Sequence, residues 1–409
     1  MTPKRIAVIG CGIGRPWLAP EPADALAGAD VLVGGTRQLA LFPDHSARRI
    51  PITGSLAAVC DAIESAAESG MAVCVLADGD PLFFGIGRLL VERFGSERLT
   101  FYPNVTAVGA AAARLGRPWQ DLPAVSLHGR SDLTPLFAAL VRHGAAAVYT
   151  DAVNTPAVIA GKLLQRGGDA FLLHVLEEMG LPGERRHSLP LADAARLECS
   201  PLNLTLVERT RPPEIALSLG LADDALLRHD RVFTKTPVRA VSLAGLAPRP
   251  GDVVWDVGAG TGAMALEASL LNVGGPVFAM ERDPARHALL MDNIRRTGAL
   301  TVTPIQGEAP DVLAGLPDPD RVFVGGGLTG APDLLPGLCR RLRPGGRLVA
   351  NCVLLGSLHR ALETLRALGW PVTLTQVQAE TATPLAGDLR LCADNPVFVL
   401  TAVKESRHG

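Results

Sequence analysis

The sequence predicts an α/β protein of two units in tandem, each built on a sheet whose strands run into glycine-rich loops. Three observations carry this. At 409 residues the chain exceeds one ordinary core, since domains mostly run about 100 to 200 residues. Short apolar runs alternate with longer helical patterns through both halves. Val253-Val254-Trp255-Asp256-Val257-Gly258-Ala259-Gly260-Thr261-Gly262 joins a buried-strand pattern to a glycine loop and then to the apolar periodicity of a helix.

In chain order, Ile6-Ala7-Val8-Ile9-Gly10 is the first strand and enters Gly10-Cys11-Gly12-Ile13-Gly14. Apolar spacing over 55–68 and 155–165 predicts helices, and 72–76, 124–127, 146–149 and 203–208 read as strands. Arg209-Thr210-Arg211-Pro212-Pro213 then breaks regular structure, because paired prolines continue neither a strand nor a helix interior. The domain boundary is placed there, giving units 1–211 and 212–409. The second unit opens on a polar stretch, 229–237, followed by a helix over 238–246 and the glycine loop. Beyond it come a strand over 276–280, a helix over 284–296, a strand into Gly307, a strand over 321–324 ending in Gly325-Gly326-Gly327, and one over 346–352. That alternation is a doubly wound order, in which strand C-terminal ends collect the ligand loops.

Composition narrows the partners. Hydrophobic residues at 48% and charged residues at 20% suffice for packed cores and exclude a disordered chain. A formal net charge of -2 and only 4% aromatics give little attraction for nucleic acid. The seven cysteines form no C-x-x-C pair and mostly lie in apolar segments, which predicts reduced core thiols and no metal site. Met1-Thr2-Pro3-Lys4-Arg5 leads straight into the first strand, and no apolar run approaches about 18 residues. The expectation is a cytoplasmic protein with no membrane partner.

The loop at 258–263 also satisfies G-x-G-x-x-G/A, the dinucleotide pattern. Asp256 weighs against a diphosphate, which it would repel, and favours a ligand with an α-ammonium, as S-adenosylmethionine (SAM) has. Glu281 ends the next strand about 20 residues on, where an acid accepts from ribose hydroxyls. A glycine turn serving packing alone fits each element singly, but not all three in order. In the first unit the opening glycine loop by itself suits a dinucleotide enzyme equally well. Asp78-Gly79-Asp80-Pro81-Leu82-Phe83-Phe84-Gly85, Pro103-Asn104-Val105-Thr106, Ser126-Leu127-His128-Gly129-Arg130 and Thr150-Asp151 lie at further strand ends. Each alone reads as a turn.

Taken together, these first-unit segments resemble the tetrapyrrole methylase family, whose members bind SAM between two α/β lobes. The likeness spans nearly all of residues 4–211, and Gly79-Asp80-Pro81-Leu82-Phe83-Phe84-Gly85 is its most specific piece. Pro103 to Val108 and Ser126 to Arg130 resemble the branch acting on precorrin-6Y. The second unit resembles the companion Rossmann-like class I SAM-dependent methyltransferase at His229-Asp230-Arg231, Thr234-Lys235, Val238-Arg239-Ala240, 255–260, Gly307-Glu308-Ala309-Pro310 and 323–327. The resemblance implies one SAM site per unit. Gly12, Gly79, Asp80, Phe84, Thr106 and Thr150 would line the first, and Asp256, Gly258, Gly260, Gly262, Glu281, Glu308 and Ala309 the second. It further implies methylation at C5 by the first unit, methylation at C15 with loss of the C12 acetate carboxyl by the second, and self-association. Two departures stand out: Arg15-Pro16-Trp17 replaces small or polar residues, and Val353-Leu354-Leu355-Gly356-Ser357 stands where relatives often carry Val-Thr-Leu-Glu.

Methyl transfer from a sulfonium to carbon asks chiefly for alignment in a dry site and needs no metal. His128 and His229 are the candidate proton carriers, each beside a basic residue in a loop. The substrate implied by the resemblance carries many carboxylates, so Arg130, Arg231, Lys235 and Arg239 are candidate partners for them. The competing readings are tandem methyltransferases for another small molecule or tetrapyrrole, a nicotinamide oxidoreductase, and a silent corrin-binding protein.

Overall fold

The computed structural model describes residues 5–228 and 233–405. Three main sheets organise the chain. The first contains β1 (Ile6–Gly10), β2 (Val31–Gly34), β3 (Arg48–Pro51), β4 (Val73–Ala77) and β5 (Leu99–Tyr102), all parallel in the order β3-β2-β4-β1-β5. Its central strands are continuously apolar because helices cover both faces. The helix Leu56–Glu68 buries Val59, Cys60, Ile63, Ala66 and Ala67, one stripe at helical spacing, against that sheet.

The second sheet contains β6 (Ala124–Ser126), β7 (Ala145–Tyr149), β8 (Phe171–Glu177), β9 (Arg185–Pro190) and β10 (Asn203–Arg209), in the order β6-β7-β10-β8-β9. β10 inserts antiparallel between β7 and β8, pairing Leu204 with Tyr149 and Asn203 with Glu177 at one end, and Glu208 with Ala145 and Arg209 with Phe171 at the other. Tyr149, Thr150, Glu177 and Asn203 therefore share one edge of the sheet, while Gly144, Phe171 and Arg209 share the opposite edge.

The third sheet carries the second unit. β11 (Val254–Val257), β12 (Val277–Glu281), β13 (Val302–Gln306), β14 (Arg321–Val324) and β15 (Arg347–Cys352) are parallel neighbours, and β16 (Val372–Val377) and the antiparallel β19 (Val397–Val403) complete the order β13-β12-β11-β14-β15-β19-β16. A separate hairpin, β17 (Glu380–Leu385) and β18 (Asp388–Ala393), connects β16 to β19. The order reverses between β11 and β14, which makes the crevice beyond their C-terminal ends the switch point of the sheet. The helix Pro284–Thr297 starts where Asp283 Oδ1 accepts from the amides of Ala285 (2.8 Å) and Arg286 (3.0 Å), and stops at Gly298 in the left-handed region (φ 65°).

The chain crosses between the units over 210–214. β10 ends at Arg209, and Ile215 and Leu217 already pack on the second unit's core. The crossing is also a docking seam. Leu300, 1% exposed, inserts among Phe137, Leu163 and Phe171 of the first unit. Arg166 stacks on Phe137 and donates to Thr303 Oγ1 (3.0 Å), and Glu214 receives both Arg295 (3.0 Å) and Arg296 (3.1 Å). At Gly167 a Cβ would lie 2.7 Å from that of Arg295, so the backbones meet closely there.

All seven cysteines are free, five of them buried. Among the described residues, no helix is long and apolar enough to cross a membrane.

Candidate functional site

In the first unit the strand ends of the first sheet face the Tyr149 edge of the second. Gly79 donates its amide to the Gly12 carbonyl (2.9 Å), bridging the loops after β1 and β4. The approach demands glycine: a Cβ on Gly10 would lie 2.2 Å from the Gly79 carbonyl, and one on Gly14 2.4 Å from the Gly180 carbonyl across the cleft. Asn104 clamps the same corner, donating to the carbonyls of Gly10 and Trp17 (2.9 Å each). That bond fixes the Arg15-Pro16-Trp17 departure to the cleft rim and leaves the Trp17 ring 77% exposed.

Asp80 Oδ1 accepts from Leu82 N (2.8 Å), and Phe84 takes a left-handed backbone (φ 54°), unusual outside glycine. This turn projects Phe83 and Phe84 onto Tyr149, with ring centroids 5.0 to 6.3 Å apart. Burial pushes the Tyr149 phenol up to about 12, so it stays neutral. Beside these rings a cleft of about 460 Å³ is lined by Phe83, Phe84, Val108, Trp119 and Leu122. Thr106 caps the helix Ala107–Leu115, accepting from Gly109 N (3.0 Å). Thr150 donates to Asn203 Oδ1 (2.9 Å), and Asn203 in turn donates to the Ser200 carbonyl (2.9 Å). Ser200 N is bonded to Glu177, a carboxylate with no exposure. Thus Gly12, Gly79, Asp80, Phe84, Thr106 and Thr150 all converge on this inter-lobe region. His128 and Arg130 are exposed on the adjoining loop, held by Asp151, which accepts from Gly129 N (2.7 Å), and by Asn154, which donates to the carbonyls of Leu127 and Arg130.

In the second unit, Gly258, Gly260 and Gly262 take φ of 74°, 57° and 89°, turning the chain sharply from β11 into the helix Ala263–Leu271. Asp256 lies beneath this turn, 1% exposed. Its Oδ2 accepts from Ala265 N (3.0 Å), and its Oδ1 is buried without a partner. Loss of water, reinforced by the nearby Glu281 charge, raises its pKa from 3.8 to about 7, while the Ala265 bond opposes the rise. Glu281 accepts from Gly260 N (2.8 Å) and Asp283 N (2.9 Å), tying the glycine loop to the end of β12. Glu308 is exposed beside Arg282, and Ala309 opens the short helix that follows.

An orphaned buried carboxylate oxygen and a glycine cradle closed by an acid fit a ligand with an ammonium and hydroxyl groups. They fit a diphosphate poorly, since the Asp256 and Glu281 carboxylates would repel it. His287 is an addition that sequence reading missed: its Nε2 is buried without a partner near Glu281, and burial lowers its pKa. Its sequence context is an ordinary helix, so only the fold reveals it.

Two expectations for substrate arginines and lysines change. Arg239 has no exposure. Its guanidinium binds Glu267 (2.8 Å), Asp223 (2.8 Å), the Thr234 carbonyl (2.7 Å), Thr236 Oγ1 (3.0 Å) and the Leu221 carbonyl. All of its donors face protein, so it is a structural knot and not a carboxylate receptor. The Lys235–Arg239 pair does not share an outward face, because the helix begins at Thr236 and turns Arg239 inward. Lys235 is half-exposed and paired with Asp394, at the crevice edge of the sheet. His229 and Arg231 lie outside the described residues.

Comparison with known proteins follows this division. Residues 5–195 match the Tetrapyrrole (Corrin/Porphyrin) Methylases, and residues 225–404 match the Precorrin methyltransferase domain. A "Precorrin-6Y C(5,15)-methyltransferase [decarboxylating]" of Sinorhizobium sp is 36% identical over 398 residues, covering 93% of this chain and 92% of its own. The chain belongs to the decarboxylating precorrin-6Y C5,15-methyltransferase family. Shorter relatives match about half of it. A Salmonella typhimurium "Cobalt-precorrin-7 C(5)-methyltransferase" is 36% identical over 46% of this chain and 91% of its own. A "Cobalt-precorrin-6B C(15)-methyltransferase (decarboxylating)" from the same organism is 36% identical over 46% of this chain and 98% of its own. The family is SAM-dependent, and the nicotinamide alternative falls with that.

Proposed function

We propose that the chain methylates precorrin-6Y at C5 and C15 and removes the carboxyl of the C12 acetate, giving precorrin-8 for cobalamin synthesis. The proposed division is residues 1–211 for C5 and 212–409 for C15 and decarboxylation, with one SAM site in each. The observation that carries the two-site reading is the pair of separate glycine-built crevices, each at strand C-terminal ends and each with its own polar anchors.

Bound SAM supplies an electrophilic methyl. In the first unit, Gly12 and Gly79 let backbone approach the ligand closely, Thr106 and Thr150 present oxygens, and Phe84 with Tyr149 forms an apolar wall that excludes water. In the second, Asp256 receives the ammonium, Glu281 the ribose hydroxyls, and Gly258, Gly260 and Gly262 leave room for both, with Glu308 and Ala309 at the adenine side. His128 exchanges protons at the first site and His229 at the second. Arg130 and Lys235, with Arg231, meet substrate carboxylates. Decarboxylation breaks the bond between the acetate methylene and its carboxyl, carbon dioxide leaves, and the electron pair enters the conjugated ring until the methylene carbon takes up a proton and becomes a methyl group.

Self-association is part of the proposal. The β17–β18 hairpin stands apart from the main sheet with Leu385, Leu389 and Leu391 more than half exposed, and an uncovered two-stranded hairpin is marginally stable in water. The protein is proposed to act in the cytoplasm.

Mass spectrometry of the tetrapyrrole after incubation with precorrin-6Y and methyl-labelled SAM tests the assignment. Two labelled methyls and one lost carbon dioxide are expected. Unchanged precorrin-6Y alongside tight SAM binding would leave a tandem methyltransferase for another substrate.

A further inference from the structure

The two crevices open at opposite ends of the docked chain. In the second sheet, Thr150, Glu177 and Asn203 mark the cleft edge, while Phe171 and Arg209 mark the seam edge, six residues away along β10. At about 3.3 Å per residue that separation is about 20 Å. In the third sheet, the contacts to the first unit come from Arg295, which meets Gly167 at the end of a helix, and from Leu300 and Thr303 leading into β13. All of these lie at the N-terminal edge of the parallel strands. Asp256, Glu281 and the glycine loop lie toward the C-terminal edge, Asp256 level with Pro304 and Glu281 with Gln306 by the pairing of β11, β12 and β13. From Val302 to Gln306, the length of β13, is about 13 Å of strand. The seam therefore joins the two backs.

Rearrangement offers no shortcut. The crossing over 210–214 reaches about 20 Å from Arg209 to Ile215 even when fully extended. That only brings the seam edge of the second unit towards the cleft edge of the first, and leaves the second crevice still pointing away. Opening the seam would also expose Leu300, now 1% exposed, and break the hydrogen bond from Arg166 to Thr303.

Building on the proposed two-step reaction, we infer that the singly processed tetrapyrrole is not handed across the chain. It leaves the unit that made it and reaches the second site through solvent. Fusing the units thus fixes their stoichiometry and their docking, not a path for the intermediate.

Complementation between full-length chains tests this. Gly12→Val places a side chain in the first cleft, where a Cβ already lies 3.0 Å from Asn104 Oδ1, and Gly260→Val places one in the open space of the second cradle. Each variant's surviving methylation reports that it is folded. An equimolar mixture, holding the same number of intact sites of each kind as the wild type, is expected to form doubly methylated product within about twofold of the wild-type rate. A wild type at least tenfold faster than the mixture would overturn the inference. A measurement free of variants is the lag before doubly methylated product appears: tenfold dilution of the wild type should lengthen it about tenfold, and a lag unchanged by dilution would also overturn the inference. If the wild type methylates nothing, it is the functional reading that fails.

Discussion

Asp256 makes the second crevice sensitive to pH in a direction that can be worked out. Its carboxyl holds a proton up to about pH 7 in the folded chain, against 3.8 for a free group. Between those values the folded state binds one proton more than the unfolded state, so stability falls as pH rises through the window. The full shift corresponds to about 4 kcal/mol. Between pH 6 and pH 8 the remaining loss is about 1 kcal/mol, most of it below pH 7. Ligand binding runs the opposite way. An ammonium needs the anionic carboxylate, about one part in eleven at pH 6 and nearly all at pH 8 by the same titration, so affinity should rise about tenfold between them. Among the described residues, Glu281, Glu308 and His287 are further titratable groups at this crevice, and burial lowers the His287 pKa from its ordinary value. Calorimetric titration of SAM into the Gly12→Val chain isolates the second crevice, with Asp256→Asn in the same background as the comparator. Affinity equal at pH 6 and pH 8, or a pH slope that survives Asp256→Asn, would refute the assignment of the ammonium to Asp256.

Arg239→Met should lower stability by about 3 to 5 kcal/mol, because it strands the buried Glu267 carboxylate; a urea midpoint close to the wild type would show that the knot is not structural. Gly10→Ala should abolish C5 methylation and spare C15, since its Cβ would lie 2.2 Å from the Gly79 carbonyl; counting labelled methyls by mass checks the split. Asn203→Leu removes the acceptor that orients Thr150, and one lost hydrogen bond predicts a rise of about fivefold in the SAM KM of the C5 step with its kcat little changed. Deleting the hairpin leucines by Leu389→Ser and Leu391→Ser should shift the sedimenting species to the monomer, while an unchanged mass would place any self-association elsewhere.

The fold was legible wherever apolar runs and glycine loops coincide. β1, β11 and the helix after Asp283 lie where periodicity predicts them, because their burial is imposed by sheets covered on both faces. The stretch from β16 to β19 was not legible. β16 is mostly exposed and rich in threonine, and the hairpin beyond it has no covered face, so no alternation betrays either element. The left-handed Phe84 likewise gives no local signal beyond the Pro81 turn.

Charge shows the deeper limit of sequence reading. Lys235 and Arg239 looked alike as basic residues four apart at a helix start, and a carboxylate-rich substrate invited both. What separates them is Glu267, on the helix that follows the glycine loop, and Asp223, well before the helix that carries Arg239. No spacing rule links those positions to Arg239, and only the packed core puts their carboxylates within 2.8 Å of it. Asp256 differs from Arg239 in being incomplete. A knot such as Arg239 is complete within the protein, whereas Asp256 keeps one buried oxygen without a partner. A folded chain tolerates such an atom when a ligand supplies the missing donor or a proton stands in for it. An acid raised to about 7 is poised between those two states, which makes it the best place to read cofactor binding directly.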